Sequence, residues 1–280
     1  MVTFASPSLD CVAAVVDTES RHLPPDQAFA RVRAAVESER WDLVYKKTDS
    51  TLRGNLAAEL DALGGEVLFI PAYPAMGRTV VRGELYVEGA LLHTTAFAHD
   101  PLNPMTSSAV SDTLRGCSAK VHVHDAQTEE QIAELVAQAL QRHTILAGPA
   151  NLAGHLARLI DAPRSPIARA RPLGQVLVVN GSLHPASASQ FEFGRARNWP
   201  DWAFASGWQQ LAHDTLIVFG GDTAFEIVQL LGITEIEPMH EVLPGVPIAR
   251  AGNLQLITKA GGFGQIDLLK RVRAEMSQAL

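Results

Sequence analysis

The sequence predicts an α/β protein of two domains, each a mainly parallel sheet flanked by helices, with a ligand cleft between them. Three observations predict it. Short apolar runs rich in β-branched residues alternate with segments of helical period, the grammar of βαβ units. These runs end in polar or glycine-rich loops, and in parallel sheets ligands sit beyond those carboxyl ends. The alternation breaks between Asp161 and Pro172, a proline- and arginine-rich stretch without apolar period that reads as a linker. The first domain is expected over residues 1–165 and the second over 172–280.

In chain order, Val12–Val16 reads as a strand ending in the polar run Asp17 to His22. Leu23-Pro24-Pro25 breaks the chain, and Asp26 can cap a helix whose apolar positions include Phe29, Val32 and Val36. Trp41–Tyr45 is a strand that leads into Lys46-Lys47-Thr48-Asp49-Ser50-Thr51-Leu52-Arg53-Gly54-Asn55, and Leu56–Leu63 has helical spacing. Val67–Ile70 is a strand ending at Pro71 to Thr79. These polar loops are expected to converge on one sheet edge. Arg82–Leu92 alternates between two glycines and predicts a hairpin. Asp100 to Pro104 is either a rigid turn or a ligand loop. Val121–Asp125 is a strand whose alternating histidines suit an edge strand better than a metal, since no third ligand is close in sequence. Thr128–Arg142 is an amphipathic helix, Thr144–Ala147 a strand and Leu152–Ile160 a helix.

Beyond the linker, Gln175–Val179 is a strand ending in Asn180-Gly181-Ser182. Trp199, Trp202 and Trp208 read as hydrophobic anchors, with adenine stacking the lesser alternative. Leu216–Phe219 is a strand leading to Gly220-Gly221-Asp222-Thr223 and a helix over Phe225–Leu231. Leu254–Thr258 is the last strand, followed by Lys259-Ala260-Gly261-Gly262-Phe263-Gly264 and a helix over Gln265–Met276.

Composition narrows the function classes. The 280 residues are 47% hydrophobic and carry a formal net charge of −7 without a basic run, which argues against a nucleic-acid partner. Cys11 and Cys117 lack metal spacing and suit a reduced, cytoplasmic compartment. No apolar stretch approaches the roughly 20 residues of a membrane span. The first ten residues lack the charged start and long apolar core of a signal peptide.

The densest chemistry lies between Lys46 and Asn55. At a strand-to-helix junction the first helical N–H groups are unpaired and favour an anion, and nearby cations strengthen that preference. A polar loop with Asp49 or Ser50 as N-cap would need only one such residue. Lys47, Asp49, Ser50, Thr51 and Arg53 together suit a small anionic or hydroxylated ligand. In the second half, glycines at 181, 220, 221, 261, 262 and 264 follow strands. Glycine permits positive φ and close backbone approach, so these loops suggest a phosphate cradle. They match neither the P-loop nor the GxGxxG fingerprint. Lys259 either meets a phosphate or ends its strand in solvent.

Val44–Asn55, Pro71–Thr79, Asp100–Pro104, Gly220–Ala224 and Lys259–Gly264 together resemble the four-carbon acid sugar kinase family, whose members phosphorylate threonate- and erythronate-like acids with ATP. The resemblance implies that the first domain binds the sugar acid and the second ATP. It places Lys47, Asp49, Ser50, Arg53, Gly77 and Arg78 beside the acid, with Asp17 and Arg21 from a segment similar to the family's Asp-Thr-x-Ser-Arg. Beside the nucleotide it places Ser182, Gly220, Gly221, Asp222, Thr223, Gly261, Gly262, Phe263 and Gly264. Two departures are expected: the chain begins after the family's acidic Asp-Asp-x-Thr-Gly-Ala loop, and the Ser182–Gly220 interval is short.

On this reading the protein is an ATP-dependent sugar-acid kinase, with Asp49 and Lys47 as the candidate catalytic pair. The substrate carboxylate pairs with Arg53, Arg78 or Lys47, and Asp49 orients the attacking hydroxyl or accepts its proton. Mg2+ is expected on the ATP phosphates, with Asp222 its nearest carboxylate, although Asp222 also suits a helix N-cap. A homodimer is compatible with the sequence. The alternatives are a non-catalytic sugar-acid binder derived from such a kinase and, with no paired acidic nucleophile to support it, a phosphatase-like hydrolase.

Overall fold

The structure, a computed structural model, describes residues 2–3, 13–100, 102–160, 170–171, 173–174, 176–181, 196–198, 214–259 and 267–278. Ser182, Gly261, Gly262, Phe263, Gly264, the three tryptophans of 199–208 and most of the expected linker lie outside the described residues. The chain forms two compact units. One is Thr18–Pro163, and the other joins Met1–Asp17 to Arg164–Leu280.

Strands β1 (Val2–Thr3) and β2 (Val15–Val16) pair in parallel, and β1 also pairs antiparallel with a strand near residue 236. The expected Val12–Val16 strand is therefore part of the second unit's sheet and does not lie beside the strand that leads to Asp49. Its polar sequel, Thr18–Leu23, belongs to the first unit and is held there by side chains.

Helix α1 (Pro25–Glu37) opens the first unit. Proline at its first position is preset for the helix, since its missing N–H would be unpaired anyway. Asp26 is not the N-cap: it sits inside the first turn, where a carboxylate complements the helix dipole. Ala28 and Val32 are buried, whereas Phe29 lies at the surface under the Arg33 guanidinium. Strand β3 (Tyr45–Lys47) runs later than expected and takes in both lysines, so the polar loop begins at Thr48. Short helix α2 (Leu56–Asp61) and strand β4 (Val67–Phe69) follow.

The expected hairpin is a three-stranded meander of β5 (Arg78–Val81), β6 (Glu84–Val87) and β7 (Ala90–Leu91). Each connection has two residues at positive φ, Arg82-Gly83 and Glu88-Gly89. That conformation matches the twist of the flanking strands. Helix α3 (Val110–Thr113) and strand β8 (Val121–Val123) precede α4 (Glu129–Gln141), which Thr128 caps by accepting from the Gln131 N–H at 3.3 Å. Strand β9 (Ile145–Gly148) and helix α5 (Ala150–Leu159) complete the unit. Its main sheet is parallel, in the order β3-β9-β4-β8. This makes β8 an edge strand, where His122 Nε2 meets Glu66 at 2.6 Å. Val67, Phe69, Leu146, Ile132, Val136 and Leu152 form the centre of the core.

The second unit continues with β10 (Val176–Asn180), β11 (Ala196–Asn198), β12 (Thr215–Phe219), α6 (Gly221–Leu230), β13 (Glu235–Leu243), β14 (Val246–Ala251), β15 (Leu254–Lys259) and α7 (Leu268–Gln278). The sheet order is β11-β10-β12-β15-β14-β13-β1-β2. Pairing is parallel from β11 to β15 and antiparallel from β15 through β14 and β13 to β1. Sequence reasoning missed the β13–β14 hairpin. The Pro244-Gly245 pair, with Gly245 at φ 74°, was its available signal.

Gly148 ends β9 beneath the loop after β4. A Cβ there would fall 2.4 Å from the Ile70 carbonyl oxygen and 2.5 Å from Leu152 Cδ2. Backbone on one side and a fully buried leucine on the other leave no room to relax. Gly148→Ala is therefore expected to lower unfolding free energy by about 1–3 kcal/mol, the usual cost of overpacking. Urea denaturation of the two proteins measures it.

Candidate functional site

Asp49 is the centre of the first unit's loop cluster. It follows β3 by two residues, and the chain folds back over its carboxylate. Oδ2 accepts from the Thr51 hydroxyl at 2.6 Å, the Thr51 N–H at 3.3 Å, Arg53 Nε at 2.9 Å and the Arg53 N–H at 3.4 Å. Oδ1 accepts from Arg53 Nη2 at 3.1 Å and Arg21 Nη2 at 3.4 Å. An aspartate bonding its own backbone a few residues on is a usual way to tighten a turn. Here the turn also holds Leu52 at φ 62°, a strained conformation for a leucine, with its side chain 2% exposed.

Arg53 is committed on two sides. Its planar fork meets Asp49 with Nε and Nη2, while Nη1 donates to Asp100 Oδ2 at 2.8 Å. Its guanidinium also lies 5.3 Å from the Phe97 ring centre. Asp100 Oδ1 accepts from the Leu102 and Asn103 N–H groups, so one aspartate both folds the 100–103 loop and ties it to Arg53. Asp100 thus sets this loop beside the candidate site.

Charge follows from these contacts. Burial alone would raise the Asp49 pKa, but the hydrogen bonds from Arg53 and Thr51 and the charges of Arg53 and Arg21 hold it well below the ordinary carboxylate range. Burial works against the Arg53 cation too, and Asp49 and Asp100 outweigh it. A carboxylate this strongly held is a weak base, so Asp49 suits orientation of a hydroxyl better than removal of its proton.

Arg78 differs from Arg53. It begins β5, straight after Gly77, which closes the Pro74–Met76 turn at φ 67°. Among the described residues no hydrogen bond holds its side chain, and its Nε is buried without a partner. Burial lowers its pKa, and it is close enough to feel the charges of Asp49, Arg53 and Glu88. Of the other expected residues, Arg21 joins Asp49, Ser50 is half-buried in the loop, and Lys47 is exposed at the end of β3. Asp17 is exposed and lies in the other unit. Sequence reasoning gave no role to Asp100's carboxylate, Asn55 or Glu59. Asp100 and Asn55 stand in stretches already singled out, whereas Glu59 carried no signal in the sequence.

In the second unit, Gly181 follows β10 and Gly220 follows β12. Their N–H groups bond the Phe219 and Lys259 carbonyls at 2.8 Å each. A Cβ on Gly181 would overlap Thr223 Oγ1 at 1.6 Å, and one on Gly220 would approach it to 3.3 Å. The expected loop helix begins earlier than its apolar period suggested, at Gly221. Gly220, at φ 109°, is the N-cap, and Asp222 sits exposed in the first turn without a capping bond. Lys259 does not end its strand in solvent. It is 2% exposed, with its ammonium 5.1 Å from the Phe219 ring centre, and burial lowers its pKa. Glycine backbone, a buried threonine hydroxyl and a helix N-terminus meet at one strand edge, an arrangement suited to phosphate.

The Asp49 charge has a measurable consequence. Its carboxyl titrates lower in the folded chain than in the unfolded one, so acid protonates the unfolded state first. Its stabilisation is full above about pH 4 and drains away as pH falls below that value. Asp49→Asn is expected to be less stable than wild type at pH 7, with the gap closing below about pH 4 in parallel denaturation series.

The sequence profile described as a sugar-binding N-terminal domain matches residues 1–163, and that described as a nucleotide-binding C-terminal domain matches residues 121–269. The D-threonate kinase of Bordetella bronchiseptica is 29% identical over 349 aligned positions, covering 91% of this chain and 84% of that protein. The D-threonate kinase of Salmonella typhimurium is 32% identical, covering 66% of this chain and 52% of that protein. The 3-oxo-tetronate kinase of Burkholderia multivorans is 27% identical, covering 96% and 89%. The 349 aligned positions exceed this chain's 280 residues, so the Bordetella protein carries residues within the matched region that this chain lacks. A crystal structure from Salmonella typhimurium LT2 shares the fold at TM-score 0.77 and 20% identity, covering 98% of this chain and 92% of that one. A Haemophilus influenzae structure does so at TM-score 0.73 and 21% identity, covering 98% and 93%. With two profiles that each span more than half of its length, the chain belongs to the four-carbon sugar-acid kinase family.

Proposed function

We propose that the protein is an ATP-dependent kinase acting on a four-carbon sugar acid of the threonate or erythronate type. The observation that carries this reading is Arg78. A guanidinium with a buried, unpartnered Nε beside a hydrogen-bonded aspartate is a receptor for a carboxylate whose hydroxyls reach the neighbouring acid. The names of the relatives support the substrate class.

The roles divide as follows. Arg78 takes the substrate carboxylate, with Arg21 and Lys47 adding positive charge. Arg53 acts through Asp49 and Asp100, fixing both loops, and Asp49 accepts a hydrogen bond from the substrate hydroxyl and so orients it. In the second unit the Gly181 and Gly220 loops, the Thr223 hydroxyl and the first turn of α6 meet at one strand edge, which suits a phosphate. Ser182 and the 261–264 loop are assigned to the nucleotide on the resemblance. When bound, ATP supplies the phosphoryl group and Mg2+ neutralises charge on its phosphates. Asp222, exposed at the start of α6, is the carboxylate that would reach the metal, directly or through water. Among the described residues no helix is long and apolar enough to cross a membrane.

ATP consumption screened against threonate, erythronate and related acids, with ligand-induced melting shifts in parallel, tests the proposal. Turnover with one acid supports it. A shift without turnover would replace it with a non-catalytic binder. Arg78→Ala is expected to weaken acid binding by about 1.5–3 kcal/mol with little change in melting, since it removes a charged hydrogen bond and no internal partner. Arg53→Ala is expected to lower melting temperature as well, because it strands two carboxylates. Gly181→Ala is expected to reduce ATP affinity in calorimetry while leaving the acid's affinity unchanged.

A further inference from the structure

The segment Thr18–Leu23 carries Arg21 to Asp49, yet no strand pairing of the first unit's sheets holds it. It is held by α2. Asn55 Nδ2 lies 2.8 Å from the Ser20 and Leu23 carbonyl oxygens and 3.3 Å from that of Arg21. Gly54, at φ 100°, forms the floor: a Cβ there would lie 3.2 Å from Arg21 Cγ. Beneath this, the Ser20 hydroxyl donates to Glu59 Oε1 at 2.6 Å, and Lys46 Nζ lies 2.8 Å from Glu59 Oε2. Ser20 and Glu59 are 5% and 6% exposed and the Lys46 side chain 15%, so Glu59 meets its counter-charge largely out of water.

A buried ion pair gives little net stability, because desolvation offsets the attraction, but removing one partner strands the other charge and destabilises the fold. Its effect here is geometric. Lys46, on β3, fixes one oxygen of the Glu59 carboxylate and so aims the other at Ser20. Glu19, at φ 44°, is strained next to that contact, as a segment held from outside allows.

We propose that Ser20 and Glu59, with Lys46 as counter-charge, are positioning residues that set Arg21 against Asp49 and thereby tune affinity for the sugar acid. The inference rests on the sugar-acid reading of the Asp49 cluster. It predicts that substrate affinity follows the Ser20–Glu59 hydrogen bond and that folding stability follows the Lys46–Glu59 charge pair.

Two variants of the full chain separate these. Ser20→Ala deletes the hydroxyl and leaves the ion pair. It removes the Ser20 contacts to both Glu59 and Thr18 and is expected to raise KM for the sugar acid about fivefold, with KM for ATP and kcat nearly unchanged and a smaller fall in melting temperature than Glu59→Gln causes. Glu59→Gln keeps a partner for the Ser20 hydroxyl, which donates or accepts equally well, and deletes the charge opposite Lys46. It is expected to lower the melting temperature while moving the acid's KM less than Ser20→Ala does. A merely structural role would make KM and melting temperature move together in both variants, and that result would overturn the inference. So would an unchanged KM in Ser20→Ala when the wild type turns over. Absence of turnover by the wild type with every acid would overturn the kinase reading and this inference with it.

Discussion

The Asp49–Arg53 pair is the interaction on which the rest of the first unit's site depends. Two hydrogen bonds between a planar guanidinium and a carboxylate fix both groups in one plane. Two neighbouring loops then attach to the pair, one at each end. Arg21 brings in the 18–23 segment at Asp49, and Asp100 brings in the 97–103 loop at Arg53. The pair is partly buried and surrounded by further donors, so it is better compensated than a lone buried ion pair.

On the proposed reading, this arrangement separates holding from binding. An arginine whose charge already faces two aspartates has little left to offer a substrate carboxylate. Arg78 lies close enough to feel the same charges but has no hydrogen bond to them. The same logic applies to Asp49. The donors that make it a firm anchor also depress its basicity, and phosphoryl transfer is a reaction in which positioning and charge neutralisation outweigh proton removal.

The second unit repeats the strand–loop–helix design with different chemistry. Its described loops offer glycine backbone, Thr223 and the first turn of α6, without the arginines of the first unit. Their tightness is steric: Gly181 has no space for a methyl group because Thr223 Oγ1 occupies it. Lys259 is buried beside these loops against Phe219, an aromatic face that compensates part of the water the ammonium has lost.

The sequence by itself determined the α/β class, most of the helices and strands to within a few residues, and the two kinds of loop that carry chemistry. Those features are local: apolar period, β-branched runs, and glycines or charges at strand ends. Long-range pairing decided the rest. Val15–Val16 reads as a strand from composition, but only β1 and β13 decide which sheet receives it. Lys46 and Lys47 look alike in sequence, yet strand pleating sends one into a buried pair with Glu59 and leaves the other exposed. Arg53 and Arg78 look equally fit for a carboxylate, and the folded chain distinguishes them by tying Arg53 to Asp49 and to Asp100, 47 residues away. Spacing along the chain carries no record of contacts between residues this far apart, so the sequence nominated the groups of the cluster and the tertiary structure decided which of them are tied to internal partners.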